Sequence, residues 1–354
     1  MKKETFNLVI RFLVGLALSL LICAGMILLG RVGSNKPLIQ QASGLKGSEV
    51  VLTVDGEEVQ AWEYLYMTSY TAQSLSYYGI TDLSTPLSDD FTAADYVKEQ
   101  VESQVTQQAT IRKWAKDEGI TLTEADKAAI QEQKDVNGAD LQKALKLNGL
   151  TEEQYDRLME TSLLYRSLYV LYCDEGGAKR PDDAALNALA QEHGLMTADV
   201  LFISTVQMDD AAKADAKALM ADYARILAEA GDKAAAFAAL EVGENVTVNA
   251  SQTYDGCDET ALNTALAALQ ENEVSGVIED ESGFYVALRR ATDLNAVAEL
   301  SFGEEMSARI SAAAEKLEYN DSVSQRIDLA AYYTKFSALQ QQLYTRLMAE
   351  EAQG

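Results

Sequence analysis

The chain has 354 residues and a formal net charge of −26 at pH 7, and 48% of its residues are hydrophobic. A surface this acidic repels phosphate backbones, so DNA and RNA are excluded as partners. A single histidine, His193, and three cysteines leave no metal-ligand cluster and no disulfide framework, so we expect neither a metal site nor a cofactor.

Residues 12–30 are an uncharged stretch rich in Leu, Ile, Val and Ala. Because a helix rises about 1.5 Å per residue, about 20 such residues cross the hydrocarbon core of a membrane. Lys2, Lys3 and Arg11 precede the stretch, which favours a cytoplasmic N-terminus. We therefore expect residues 1–33 to be a cytoplasmic tip and a single-pass cell-membrane anchor, with the bulk of the chain extracytoplasmic. A cleaved signal peptide is the alternative, although no A-x-A-like site follows the stretch.

A tether over residues 34–48 leads to a mainly helical region that we predict over 49–180. Residues 50–59 are a β-rich run with an Asp-Gly turn, which predicts a hairpin. Helices follow, and two of them are predicted to start at Thr-led capping boxes over 121–124 and 151–154. An aromatic and methionine cluster suited to loose apolar contacts lies early in this region: Tyr64, Tyr66, Met67, Tyr70, Tyr77 and Tyr78. The alternative is that these tyrosines only pack the helices together.

A second pattern begins near residue 195. The apolar run 200–203 predicts a buried strand, and an amphipathic helix follows between Asp209 and Gly231. The run 246–254 alternates like a strand, a short helix carries Leu262 and Leu266, and a last strand is predicted over 284–288. The order β-α-α-β-α-β is typical of a small α+β domain, which we bound at 195–293. Two helices, about 297–317 and 325–351, end the chain.

Four short segments resemble those of extracytoplasmic foldases of the PrsA and SurA type. They are Val-Asp-Gly-Glu-Glu-Val at 54–59, Ala-Asp-Val-Leu-Phe-Ile at 198–203, Leu-Gln-Glu-Asn-Glu-Val-Ser at 269–275 and Ser-Gly-Phe-Tyr-Val-Ala-Leu at 282–288. In that family a parvulin-like prolyl isomerase domain is carried by a helical chaperone domain. The resemblance implies an α+β fold in which 297–354 packs on the N-terminal helical domain and the parvulin-like domain is inserted. It also implies unfolded or nascent exported polypeptides as partners.

The chain departs from the family at the isomerase site. Active parvulins carry a His on each of the opening and closing strands, and Val200 and Tyr285 stand at these positions. The family's Gly-Gly-Asp-Leu-Gly segment has no clear counterpart, its pocket Met falls at Asp258, and Cys257 lies on the wrong side of the middle strand. We therefore assign no catalytic residue. An apolar pocket for a twisted prolyl bond is expected at Phe202, Leu262, Leu266, Phe284 and Tyr285, with ordinary core packing as the alternative.

Two functions follow as hypotheses. One is a membrane-anchored foldase or chaperone for exported proteins, with a weak or inactive peptidylprolyl isomerase domain. The alternative is a non-catalytic cell-surface binding or assembly protein that uses the parvulin-like domain as a scaffold. A homodimer formed through the helical domain is compatible with both. The sequence leaves open whether Cys173 and Cys257 form a disulfide.

Overall fold

The computed structural model describes residues 36–256 and 259–351. It is helix-rich and of mixed α+β class, as expected from the sequence. The predicted anchor over 12–30 lies outside the described residues, and no helix inside them is both long and apolar enough to cross a membrane. Residues 171–304 form one compact unit, and the chain on either side of them, up to 170 and from 305, forms another.

The first part of the chain contains five helices and four strands within its described residues. In chain order they are α1 (Leu38–Ser43), β1 (Val50–Val54), β2 (Glu57–Gln60), α2 (Ala61–Ser76), β3 (Pro86–Ser88), β4 (Phe91–Thr92), α3 (Ala93–Asp117), α4 (Glu124–Asn148) and α5 (Glu152–Cys173). β3 and β4 form a short hairpin directly before α3.

The rest of the chain alternates strands with helices before it ends in helices. The elements are α6 (Asp183–Glu192), β5 (Leu195–Ser204), α7 (Asp210–Glu229), α8 (Lys233–Ala238), β6 (Thr247–Asp255), α9 (Ala261–Ala268), β7 (Ile278–Glu279), β8 (Gly283–Arg289), α10 (Leu294–Ala314), β9 (Leu317–Tyr319), α11 (Asp321–Ser324) and α12 (Leu329–Glu351). The predicted order over 195–293 is present, with β7 in addition.

Side-chain caps fix several helix starts. The capping box predicted at 151–154 is confirmed: the Gln154 amide oxygen accepts from the Thr151 N–H at 2.9 Å. The box predicted over 121–124 is wrong, because α4 begins two residues later. Thr123 is its N-cap and exchanges hydrogen bonds with Asp126, the residue at the third helical position.

A small antiparallel sheet, in the order β2-β1-β9, organises the unit formed by the chain up to 170 and from 305. Asp55 and Gly56 both have positive φ, at 49° and 84°, so they form the tight turn predicted for the β1–β2 hairpin. On the other side of β1, Leu52 pairs with Tyr319 of β9. The Lys316 ammonium also contacts the Asp55 carboxylate at 2.9 Å. The C-terminal part of the chain therefore completes the sheet that the N-terminal hairpin begins.

The last helix belongs to the core of the same unit. α12 packs on α1, α2 and α4, and it buries Tyr332, Phe336 and Leu343. The Tyr332 hydroxyl lies 2.8 Å from the Ser69 hydroxyl of α2. Burial raises the pKa of Tyr332 well above its usual value, so this phenol stays protonated at physiological pH.

The unit formed by 171–304 is built on a four-stranded antiparallel sheet in the order β6-β5-β8-β7. Side chains alternate between its faces. Leu201, Ile203 and Val286 pack with α7 and α8 on one face. Val200 and Ala287 pack with α9 on the other. The sheet is thus covered by helices on both sides.

A matched pair of glycines tests how closely α1 and α4 approach. Gly44 and Gly149 follow these helices, with φ of 75° and 69°. A Cβ at Gly149 would lie 2.7 Å from the Ile39 backbone nitrogen, whereas one at Gly44 meets nothing within 4 Å. We expect Gly44→Ala to cost about 1–2 kcal/mol from its left-handed φ alone. Gly149→Ala should cost about 1–3 kcal/mol more, because it also overpacks the contact.

Urea unfolding of the two variants measures this difference. Equal losses in the free energy of unfolding would show that the segment at Ile39 moves away at no cost, contrary to the tight packing described.

Candidate functional site

The predicted prolyl-binding residues lie on the sheet of the 171–304 unit. Phe202 of β5 pairs with Tyr285 of β8, and their rings stack with centroids 4.7 Å apart at 29°. Both side chains are half-buried. Leu266 of α9 is fully buried below the same face, and Leu262, one turn earlier on α9, is half-buried.

Phe284 lies on the opposite face of this sheet. Neighbours along a strand point to opposite sides, so Phe284 and Tyr285 cannot line the same pocket. Phe284 is 4% exposed and packs in the core formed with α7. The structure therefore brings four of the five predicted residues to one face and assigns the fifth to the other core.

The face with Tyr285 offers little acid–base chemistry near neutral pH. Burial raises the pKa of the Tyr285 phenol, and Asp280 raises it further. Burial, together with the charge of Asp199, raises the pKa of Tyr254 to about 12. Val200 is 1% exposed and has no polar side-chain atom. The chain's one histidine, His193, follows α6, and its Nε2 lies 3.5 Å from a carboxylate oxygen of Glu304.

A second candidate site lies in the other unit, among α2, α3, α4 and α5. It is a cavity of about 490 Å³. Its walls are mostly apolar and aromatic, with amides and hydroxyls between them: Tyr66, Met67, Tyr70, Gln108, Ile111, Gln133, Asn137, Asp140, Leu141, Ala144, Leu145, Asn148, Leu150, Tyr155, Leu158, Met159, Thr161 and Ser162. An apolar lining with a few polar groups is typical of a binding site.

The predicted aromatic and methionine cluster divides into three sets. Tyr66, Met67 and Tyr70 line the cavity. Tyr64 is 3% exposed and belongs to the core. Tyr77 and Tyr78, just after α2, are exposed on the surface. Tyr64 therefore only packs the core, as the alternative expected. Tyr66, Met67 and Tyr70 instead present side-chain surface to the cavity, where a ligand can bind.

Polar atoms near the cavity lack hydrogen-bond partners. The side-chain oxygen of Gln108, on α3, is buried without a partner in the part of the chain that the structure describes. One turn further along α3, Arg112 donates to a carboxylate oxygen of Glu63 at 2.8 Å. The second Glu63 oxygen and the Arg112 Nε and Nη2 have no partner among the described residues. Such atoms are costly to bury. Of these three residues, Gln108 is the one that lines the cavity, where the N–H of a bound peptide can donate to its oxygen.

A break in α4 shapes the wall of the cavity. Gly138 has φ 38° and ψ −117°, which no helix contains and which only glycine adopts readily. Asn137 and Asp140 on either side of it both line the cavity. The sequence reasoning missed this wall, although a glycine in the middle of a helical pattern was a signal for it.

Cys173, the cysteine within the described residues, adds no further site. Cys173 is buried at the end of α5, and burial raises the pKa of its thiol to about 12. Cys257 lies outside the described residues, so a Cys173–Cys257 disulfide stays a prediction. Among residues 36–256 and 259–351, no three His, Cys, Asp or Glu side chains are grouped to hold a metal ion.

Comparison with known families identifies the first part of the chain. Residues 1–169 match the model of the SurA-like N-terminal domain. The match covers just under half of the chain, and it agrees with the SurA-type resemblance seen in the sequence of this part. The cavity among α2, α3, α4 and α5 lies within the matched residues. No curated protein sequence is significantly similar to the chain.

Several solved structures are distantly similar. A foldase protein PrsA from Lactococcus lactis is 18% identical over 82% of this chain and 99% of its own, with a TM-score of 0.30. A peptidylprolyl isomerase PrsA from Bacillus anthracis is 14% identical over 61% and 96%, with a TM-score of 0.29. A SurA-like chaperone structure from Campylobacter jejuni is 12% identical over 76% and 98%, with a TM-score of 0.22. Similarities this low do not identify an activity.

Proposed function

We propose that this chain, with its SurA-like N-terminal domain, is an extracytoplasmic chaperone that binds unfolded or nascent exported polypeptides. The observation that carries the proposal is the cavity among α2, α3, α4 and α5. At about 490 Å³ it has room for one or two large apolar side chains of a client. Tyr66, Met67 and Tyr70 supply aromatic and thioether surface that adapts to clients of different shape.

The polar atoms beside the cavity fit the same kind of ligand. A client segment presents backbone N–H groups between its side chains, and the buried Gln108 oxygen needs a donor. An apolar side chain can therefore enter the cavity while the adjacent peptide group bonds to Gln108. Binding of this kind needs only one apolar side chain and an adjacent peptide group. Many client sequences provide both.

The parvulin-like domain, residues 195–293, is proposed to be a binding module with little or no isomerase activity. Val200 is buried and apolar, and Tyr285 stacks on Phe202. Neither residue supplies the imidazole that the family resemblance implies. This filled face also supports the alternative of a non-catalytic assembly protein. A single stoichiometric partner in a pull-down, without broad client binding, would favour that alternative.

The anchor over residues 12–30 is the proposed reason why the protein works at the membrane. It would hold the helical domain near the outer face, where exported chains emerge unfolded. Most of the tether predicted over 34–48 is instead part of the folded unit, because α1 buries Leu38 and Ile39 in the core. The proposed location is thus the cell membrane, with the bulk of the chain extracytoplasmic.

Filling the cavity should weaken client binding. Ala144 of α4 lines the cavity, and Ala144→Trp would occupy it with an indole. Losing the burial of one large client side chain costs about 1.5–3 kcal/mol. We therefore expect the full-length variant, in mild detergent, to need about tenfold more protein for half-suppression of the aggregation of a denatured client.

Ala128→Trp is the matched control for this measurement. Ala128 lies on the same helix, is exposed and does not line the cavity. Circular dichroism should show both variants folded. If Ala144→Trp suppresses aggregation as well as Ala128→Trp does, clients do not use the cavity.

The isomerase activity should be weak or absent. Rotation about a prolyl bond has a barrier of about 18–20 kcal/mol, and lowering it needs a pocket and polar groups around the carbonyl. In a proline-peptide isomerisation assay we expect the full chain to give the uncatalysed rate, beside an active parvulin as the positive control. An isomerisation rate clearly above the uncatalysed rate, and lost in Tyr285→Phe, would show that the domain is an active isomerase and contradict this prediction.

The predicted anchor can be tested by membrane extraction. The full chain should stay with membranes through alkaline carbonate extraction, and a variant that lacks residues 1–33 should be released. Protease added from outside should degrade the bulk of the chain in intact cells or spheroplasts. Release of the full chain by carbonate, or shortening of its N-terminus in the mature protein, would contradict an uncleaved anchor.

A further inference from the structure

One edge of the sheet in the 171–304 unit is long and exposed. β6 has nine residues and a single strand neighbour, β5. Within the described residues, no strand pairs with its outer edge. The opposite edge of this sheet is β7, which has only two residues. An unpaired strand edge presents N–H and C=O groups on which another extended chain can pair.

β6 lacks the short length and, over residues 247–254, the charge that protect the other sheet edges. Ten successive residues, 245–254, have no charged side chain in a protein whose residues are 24% charged. The edge strand β2 carries Glu57 and Glu58, β9 carries Glu318, and β7 carries Glu279. Short length and charge ordinarily prevent pairing at an edge. β6 instead offers Thr, Val, Asn and Ser, which favour extended structure or neutral hydrogen bonding.

A bulge divides this edge into two short runs. Two residues of β6, Ala250 and Ser251, lie opposite Asp199 of β5. Ser251 has φ 50°, and its N–H donates to Asp199 at 2.6 Å. Arg290 holds the other Asp199 oxygen at 2.7 Å. The bulge is thus fixed by a buried carboxylate, and it suits a short partner rather than a continuous stack of strands.

The acidic residues at both ends of β6 favour one kind of binding partner over another. Glu241 and Glu244 precede the uncharged run, and Asp255 and Glu259 follow it. If two copies paired antiparallel through β6, Glu244 of each copy would lie near Asp255 of the other. This repulsion disfavours a second copy. The same charges attract a segment with basic residues at both ends.

We propose that the outer edge of β6 binds an extended segment of non-native polypeptide by strand addition. The segment has a central run of uncharged residues flanked by Lys or Arg. Backbone hydrogen bonds to the edge supply the affinity, so the central residues can vary widely. The inference rests on the proposed chaperone function, because it names the chemical class of client segment that this second surface takes.

The test uses a labelled peptide, Lys-Lys-Thr-Val-Thr-Val-Lys-Lys, and the full chain in mild detergent. Binding is followed by fluorescence anisotropy, and hydrogen exchange locates it. We expect slower exchange of amides in 247–253 when the peptide is bound. A peptide with N-methyl groups on alternate central residues keeps its side chains but loses one hydrogen-bonding edge. It should bind at least about tenfold more weakly, as should a peptide with Glu in place of Lys.

A pair of variants with equal charge provides the protein control. Val248 on β6 is 45% exposed, and Val206 in the turn before α7 is 64% exposed. Val248→Lys adds a charge at the edge and should reduce peptide binding strongly. Val206→Lys adds the same charge to the same unit and should leave binding nearly unchanged. Equal effects of the two variants, or exchange protection outside β6, would overturn the inference.

The outcome is separable from the test of the chaperone function. Ala144→Trp fills the cavity of the other unit and should leave peptide binding at β6 intact. Normal aggregation suppression without peptide binding at β6 would refute the edge inference alone. Peptide binding at β6 without any aggregation suppression would refute the chaperone proposal. Concentration-dependent dimerisation that Val248→Lys abolishes would identify a second copy as the occupant and overturn the inference.

Discussion

The antiparallel pairing of β1 with β9 is the contact on which the unit with the SurA-like N-terminal domain depends. It joins Leu52 to Tyr319, and beside it the Lys316–Asp55 bond spans 261 positions of the sequence. Forming it closes a very long loop, which costs conformational entropy. Buried side chains of β1 and of α12 offset that cost, since Leu52 and Phe336 are fully buried. The unit cannot complete its core until β9 and α12 are available, so both ends of the 171–304 unit connect to a structure that closes late.

Local signals predicted the elements that local interactions determine. The Asp55-Gly56 turn and the Thr151 box needed only neighbouring residues, and both appear in the structure. The start of α4 was misassigned because Glu124 and Asp126 both follow a threonine at the right spacing, and only the backbone path selects Thr123. The helix predicted over 297–317 ends at the first residue of β9, and no strand was predicted over 317–319. These three residues become a strand because β1 provides hydrogen-bond partners, which sequence periodicity does not reveal.

The two candidate sites differ in how much of each could be predicted from the sequence. The strand pattern of the sequence was enough to predict the sheet face with Phe202 and Tyr285. The alternation of side chains along β8 is also enough by itself to place Phe284 and Tyr285 on opposite faces of the sheet. The cavity was harder to predict from the sequence. Its first wall, Tyr66 to Tyr70, was noticed as a cluster of aromatic side chains, but its other walls come from helices that lie far along the chain. Only the placement of α4 and α5 around the cavity, together with the break at Gly138, completes its walls.

The two proposed surfaces have complementary chemistry, and this bears on how one protein could serve many clients. The cavity buries apolar side chains and gains about 25 cal/mol for each Å² removed from water, whatever the residue. The β6 edge binds backbone, which every client shares, and its acidic ends favour basic flanks. Neither surface needs a titrating side chain, so the replacement of both family histidines by Val200 and Tyr285 leaves binding at both surfaces unaffected. Under the proposed function, a chaperone with little or no isomerase activity therefore keeps both surfaces that hold an unfolded chain, and the β6 edge gives the parvulin-like sheet a role that needs no catalytic residue.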